Sequence, residues 1–187
     1  MAEVFIIHGS YGSPEENWFP WLKAELEKAD CWVHIPRFPT PEKQSIETWM
    51  KAFGKYERFV NESTVFVGHS AGAAFILSYL EKLKQPVKAA FFVAGFTGKL
   101  GIAHFDKANS SLADREFVWE AIKRNCGQFH VYASDNDPYV PLAKGKELAA
   151  RLGVPLSLVR RAGHFNRQAG YSTFEILLHD IKNDALR

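Results

Sequence analysis

The segment Gly68-His69-Ser70-Ala71-Gly72 fits G-x-S-x-G, the pattern of a nucleophile elbow. The chemistry it offers is attack by the Ser70 hydroxyl and passage through a covalent intermediate. With 13 Gly and 11 Ser in 187 residues, chance supplies about 0.05 such matches per chain, so the surroundings must decide. An apolar run, Thr64–Val67, leads directly in, and an apolar stretch, Ala71–Leu83, leads directly out. A strand-to-helix turn at Ser70 would project its hydroxyl into a cleft, with Gly68 and Gly72 removing Cβ atoms that would collide. The helix start would aim the Ala71 N–H, and the positive end of the helix dipole, at a developing oxyanion. The bland alternative is a Gly-Ser turn that merely closes a strand.

A serine nucleophile needs a base within hydrogen-bond reach, and the base needs an orienting acid. His164 lies in Arg161-Ala162-Gly163-His164-Phe165, after the last β-branched run; Asp137 lies in Ser134-Asp135-Asn136-Asp137-Pro138, after the fifth. The chain order Ser70, Asp137, His164 is the one used by α/β-hydrolases and differs from that of other triad folds. Asp135 competes for the acid's role. Asp137 is favoured because Asp-Pro-Tyr-Val-Pro sets it just before the turn into a helix, leaving Asp135 to order the loop.

Of the remaining histidines, His69 is expected beneath the elbow, His8 bracing the cleft floor and His130 partly buried in a strand. His34, His104 and His179 read as surface or loop residues, and no pair has metal-ligand spacing, so neither a metal nor an organic cofactor is expected. The loop His8-Gly9-Ser10-Tyr11-Gly12-Ser13 should supply a second oxyanion donor, the N–H of Ser10 or Tyr11. It contains neither G-x-G-x-x-G nor G-x-x-x-x-G-K-[ST], which sets nucleotide binding aside.

These residues need a sheet to hold them. Strand-like runs recur at Val4–His8, Cys31–Ile35, Thr64–Gly68, Val87–Ala94, Phe129–Ser134 and Leu156–Arg160, several apolar throughout, as in strands buried on both faces. Between them, Asn17 is placed to cap a helix over Trp18–Ala29, and Ser45 to cap Ile46–Phe59. Ala71–Leu83 reads as a buried central helix; Pro141 opens Leu142–Leu152, which ends at Gly153, and Ser172–Lys182 closes the chain. This alternation predicts an α/β fold, a three-layer α/β/α sandwich around a mostly parallel six-stranded sheet of order 2-1-3-4-5-6, forming one domain over residues 1–187. In such a sheet ligands bind beyond the carboxyl ends of the strands, here between strands one and three. Residues 95–127 exceed what a crossover helix needs and are expected to form a small lid, partly a mobile loop, with an amphipathic segment at Arg115–Lys123.

Composition narrows the classes further. With 47% hydrophobic and 24% charged residues the chain is that of a globular protein, which excludes extensive disorder. The net charge is +2 and no basic block exceeds Arg160-Arg161, so no nucleic-acid partner is expected. Cys31 and Cys126 are too few for a disulfide framework and are expected as free thiols. Met1-Ala2-Glu3 leads straight into Val4 without a leader pattern, and the longest apolar stretch, Ala89–Phe96, is too short to cross a bilayer. A cytoplasmic protein without membrane attachment is the expectation.

With these residues in view, the sequence resembles the small single-domain α/β-hydrolases of the retinoblastoma-binding protein nine type, also called YdeN-like serine hydrolases. The likeness covers nearly the whole chain: His8-Gly9, Asn17-Trp18-Phe19-Pro20-Trp21-Leu22, the elbow, Trp119–Cys126, Asp135-Asn136-Asp137-Pro138 and Gly163-His164-Phe165. The resemblance implies that Ser70 is nucleophile, Asp137 acid and His164 base, and that the reaction is hydrolysis of small esters, with amides as an extension. The retinoblastoma-pocket motif L-x-C-x-E would fall at Arg58-Phe59-Val60-Asn61-Glu62, where only the last residue fits, so that binding does not carry over.

The expected partner is therefore a small-molecule ester, and no protein partner is indicated. Pocket walls are expected from Tyr11, Trp18, Phe96, Leu100, Phe105, Trp119, Tyr139 and Phe165, favouring an apolar acyl or alcohol group. Two other readings stay open: a non-catalytic protein-binding module that keeps the fold, and acyl transfer or thioester cleavage by the same triad.

Overall fold

A computed structural model describes residues 1–186. Six strands, β1 (Glu3–Ile7), β2 (Trp32–His34), β3 (Val65–His69), β4 (Val87–Val93), β5 (Cys126–Ala133) and β6 (Leu156–Leu158), form one sheet in the order β2-β1-β3-β4-β5-β6. Every pairing is parallel. The helices between them are α1 (Phe19–Glu27), α2 (Ile46–Phe53), α3 (Ala71–Leu80), α4 (Ala103–Ala113), α5 (Trp119–Arg124), α6 (Leu142–Leu152) and α7 (Glu175–Asp180).

The strands alternate between two cores. Phe5, Ile7, Phe66, Ala90 and Phe92 face a layer built from α2, α3, α5 and α6. Val4, Ile6, Val65, Val67, Ala89 and Phe91 face α1 and α7 on the other side. Burying each such side chain is worth about 1.5–3 kcal/mol, so covering both faces fixes the register of every central strand. All ten residues of α3 are buried, in keeping with its almost wholly apolar sequence, and its one hydroxyl on an aliphatic side chain, Ser78, accepts from Arg115 at 3.1 Å.

Several boundaries differ from expectation for identifiable reasons. Asn17 does not cap α1: its backbone is left-handed (φ 53°), and its side chain accepts from the Arg167 N–H at 3.0 Å. Ser45 does cap α2, in a reciprocal box with Thr48, but the helix tightens to a 3-10 turn over Gly54–Phe59. Strand β5 begins three residues early, at Cys126, because Val87 pairs with Cys126 in the register. Within residues 95–127, part of which is expected to be loop, 103–113 form helix α4, with the Asp106 carboxylate accepting from the N–H groups of Leu100 (2.6 Å) and Gly101 (3.0 Å) just ahead of it. No helix among the described residues is long and apolar enough to cross a membrane.

Candidate active site

The elbow takes its shape from the two elements that meet there. Ser70 follows the last residue of β3, donates its N–H to Val93 O of β4 at 2.9 Å, and precedes the first residue of α3. Its backbone is held at φ 55°, ψ −123°, a strained conformation costing on the order of 1–3 kcal/mol that packing must offset. The packing leaves no room for side chains beside it. A Cβ on Gly72 would lie 2.4 Å from Ile7 O, and one on Gly68 would lie 2.6 Å from Ile76 Cδ1.

Asp137 and His164 come from the loops after β5 and β6. Asp137 Oδ2 meets His164 Nδ1 at 2.8 Å, with the carboxylate side chain only 2% exposed. Its other oxygen accepts from the N–H groups of Tyr139 (2.8 Å) and Val140 (3.0 Å), so the carboxylate is held by its own loop as well as by the ring. Asp135 takes the other role expected of it, accepting from the Arg161 N–H at 2.7 Å. It acts within a small zipper: Ser134 Oγ accepts from the Ala162 N–H (3.0 Å) and Asn136 Oδ1 from the Gly163 N–H (2.8 Å). Three consecutive side chains of one loop thus hold three consecutive amides of the other, directly ahead of His164.

Two further histidines brace the site. His69 is buried, and its Nε2–H donates to His164 O at 2.8 Å. Burial, reinforced by the neighbouring His164, pulls its pKa down to about 3. His8 is also buried, with Nδ1 against Gly9 O (2.8 Å) and Nε2 accepting from the Phe38 N–H (3.1 Å). That pattern requires a neutral ring, and burial lowers its pKa accordingly.

Ser70 and His164 open into one hollow of about 280 Å³, which is small for a ligand pocket. Gly9 passes so close that a Cβ there would lie 2.8 Å from Ser70 Cβ, bringing the loop after β1 against Ser70. Of the expected oxyanion donors, Ala71 sits at the first position of α3, where a helix N–H has no intrahelical partner. The Tyr11 N–H donates to Thr40 Oγ1 at 2.7 Å and is engaged there.

One wall is aromatic and continuous: ring centroids run Tyr11–Phe105 5.6 Å, Phe105–Tyr139 5.5 Å and Tyr139–His164 5.1 Å. Leu100 also lines the hollow, as expected. Four expected wall residues lie elsewhere. Trp18 and Phe165 are fully buried in the α1–α7 core, where Trp18 Nε1–H donates to Phe165 O at 3.0 Å, and Phe96 is buried in the opposite core. Trp119 borders a different surface hollow with Arg115, Lys144 and Arg151. An aromatic side chain satisfies either a core or a pocket, and hydrophobic burial took Trp18, Phe96 and Phe165 away from the cleft. Residues that sequence reasoning missed include Glu16, Phe19, His104, Asn109, Val140 and Asn166. A helix over 103–113 would have put Phe105 and Asn109, four apart, on one face.

A doubly covered parallel sheet with a serine elbow after the third strand, an aspartate after the fifth and a histidine after the sixth has the architecture of an α/β-hydrolase. The comparison with known proteins sharpens that class: the serine hydrolase family matches residues 4–183, and this chain belongs to it. It is 30% identical to YdeN of Bacillus subtilis (strain 168) over 178 residues, covering 94% of this chain and 92% of that one. It is also 30% identical to the serine hydrolase RBBP9 of Rattus norvegicus over 185 residues, covering 97% and 95%. The crystal structure of the B. subtilis ydeN gene product superposes with a TM-score of 0.93 at 28% identity, covering 100% of both chains. An α/β-hydrolase from a sediment metagenome of the Mar Chica lagoon, Morocco, shares the fold at 17% identity and a TM-score of 0.74, covering 97% and 90%.

Proposed function

We propose that this serine hydrolase cleaves small esters through a Ser70–His164–Asp137 triad and an acyl-enzyme, with amides as slower substrates. The observation that carries the reading is the 2.8 Å contact of Asp137 Oδ2 with His164 Nδ1 beside the hollow that Ser70 lines. Because Nδ1 is committed to the carboxylate, Nε2 is the ring nitrogen available to take the Ser70 proton. Ser70 Oγ then bonds to the substrate carbonyl carbon, and the oxyanion is received by the N–H groups of Ala71 and Ser10, each worth about 3 kcal/mol in comparable sites. Collapse expels the alcohol oxygen, to which His164 returns the proton. Water repeats the sequence on the acyl-enzyme, giving the carboxylic acid and free Ser70. Asp137 holds the ring's orientation and stabilises its cation throughout.

The small hollow and the Tyr11–Phe105–Tyr139 wall favour a compact substrate with one apolar, flat group. A fluorophosphonate probe tests the chemistry: wild type should be labelled at Ser70 and turn over p-nitrophenyl acetate, and Ser70→Ala should do neither. A folded wild type that takes no probe would sink the reading.

A further inference from the structure

The loop after β1 is tied to the rest of the cleft by a chain of polar contacts that the triad does not use. The Tyr11 N–H donates to Thr40 Oγ1 (2.7 Å), and the Thr40 hydroxyl donates on to Gln44 Oε1 (2.5 Å). The two hydrogens of the Gln44 amide are shared among Ser10 Oγ (2.7 Å), Ala108 O (2.9 Å) and Asn109 Oδ1 (3.0 Å). The Ser10 hydroxyl completes the circuit by donating to Asn109 Oδ1 (2.5 Å).

The direction of every bond in this chain is forced. A backbone N–H can only donate, so Thr40 Oγ1 accepts there and spends its own proton on Gln44. A backbone carbonyl can only accept, so the Gln44 NH₂ faces Ala108 and its carbonyl faces Thr40. No member can be turned over without setting acceptor against acceptor or donor against donor. The chain joins three segments: the loop after β1, the stretch leading into α2, and helix α4. A further tie, Ile46 N–H to Ser111 Oγ at 3.1 Å, links the second and third.

The turn that this chain holds is itself strained. Gly9 O accepts from the Gly12 N–H at 3.2 Å, and the third residue of the turn, Tyr11, has φ 60°. A positive φ at the third position is the mark of a type II turn, which favours glycine there. With tyrosine in its place the turn needs outside support. The Thr40 contact fixes the Ser10–Tyr11 peptide plane, while Gln44 and Asn109 fix the Ser10 side chain.

We propose that Thr40, Gln44 and Asn109 are positioning residues that hold Ser10, and with it the second oxyanion donor, against Ser70. The proposal rests on the serine-hydrolase reading and adds that the oxyanion hole is set from helix α4 and the approach to α2. A donor displaced by a fraction of an ångström serves the flat ground-state carbonyl nearly as well but the tetrahedral oxyanion much less. Losing the chain should therefore lower kcat and leave KM in place.

The test compares Thr40→Val, which keeps shape and removes the hydroxyl, with Thr40→Ser, which restores it; Gln44→Met gives a second break. Active sites are counted by fluorophosphonate labelling, so misfolded protein does not enter the rates. Kinetics use p-nitrophenyl acetate, and an aryl trifluoromethyl ketone serves as a mimic of the tetrahedral oxyanion. The expected result is a roughly tenfold to hundredfold loss of kcat in Thr40→Val and Gln44→Met, with KM within about twofold. The ketone's inhibition constant should rise by a similar factor, and Thr40→Ser should recover most of the loss. Labelled variants with unchanged kcat, or with a change in KM alone, overturn the positioning role and leave the hydrolase reading standing. A folded wild type that neither takes the probe nor turns over ester overturns both.

Discussion

His69 donates its Nε2–H to the backbone carbonyl of His164 at 2.8 Å, so the residue beside Ser70 ties down the loop that carries His164. The ring is neutral there, surrounded by His164, Asp137 and His8, with burial pulling its pKa from the ordinary 6.5 to about 3. The unfolded chain binds a proton near the ordinary value, whereas the folded one does not until far lower pH. Stability is therefore fully present above about 6.5 and falls as pH drops toward 3, by about 1.4 kcal/mol per pH unit. Urea unfolding at pH 7.5 and pH 5 should differ by about 2 kcal/mol from this ring, with buried His8 adding in the same direction. His69→Gln does not titrate, so its unfolding should vary less steeply with pH; an unaltered slope would remove His69 as the cause.

The two aspartates of the fifth-strand loop should separate cleanly. Asp137→Asn puts an amide against His164 Nδ1 and should lower kcat by about 10⁴, as loss of the carboxylate does in comparable triads. Asp135→Asn keeps an oxygen for the Arg161 N–H and should cost less than about tenfold. Steady-state kinetics on both decide the assignment, and a reversed order would make Asp135 the acid.

Phe105 stands between Tyr11 and Tyr139 in the aromatic wall. Its truncation to alanine removes apolar contact without touching the triad. For phenyl-bearing esters kcat/KM should fall about tenfold or more, while acetate esters change little. Equal losses on both substrates would mean that Phe105 supports the fold of α4 instead of contacting substrate.

Two glycine substitutions should have opposite effects on stability. A Cβ on Gly72 would meet backbone oxygens of Ile7 and His8 at 2.4 and 2.8 Å, and backbone cannot step aside cheaply, so Gly72→Ala should destabilise by at least about 3 kcal/mol. Gly54 has φ −50°, ψ −36° and nothing within 4 Å of a new Cβ, so Gly54→Ala should stabilise by about 0.5–1 kcal/mol. Thermal unfolding of both proteins checks the pair.

The sheet was legible because its central strands β1, β3 and β4 are buried on both faces and read as nearly uninterrupted apolar runs. The elbow was legible because Gly68 and Gly72 answer to packing that admits no substitute. Helix α4 was not, since Asn109-Ser110-Ser111 reads as a turn. In the structure Asn109 and Ser111 spend their polar groups on Ser10, Gln44 and Ile46 across the cleft. Such tertiary hydrogen bonds leave no local periodicity. Asn17 was misread for the same reason, its oxygen serving Arg167, which is 150 positions away. The aromatic wall was half legible: residue type marks Trp18 and Tyr139 alike as large and apolar, and only the depth of the core separates them.

The Ser134–Asp135–Asn136 zipper binds the Asp137 loop to the His164 loop amide by amide. Lengthening either loop by one residue would shift all three pairings and displace His164 from Asp137 together with them. These two loops are thus poor ground for variation. A family descending from such a chain would keep them at constant length and diversify through the segment that carries α4, where the walls of the hollow can change while the proton relay stays put.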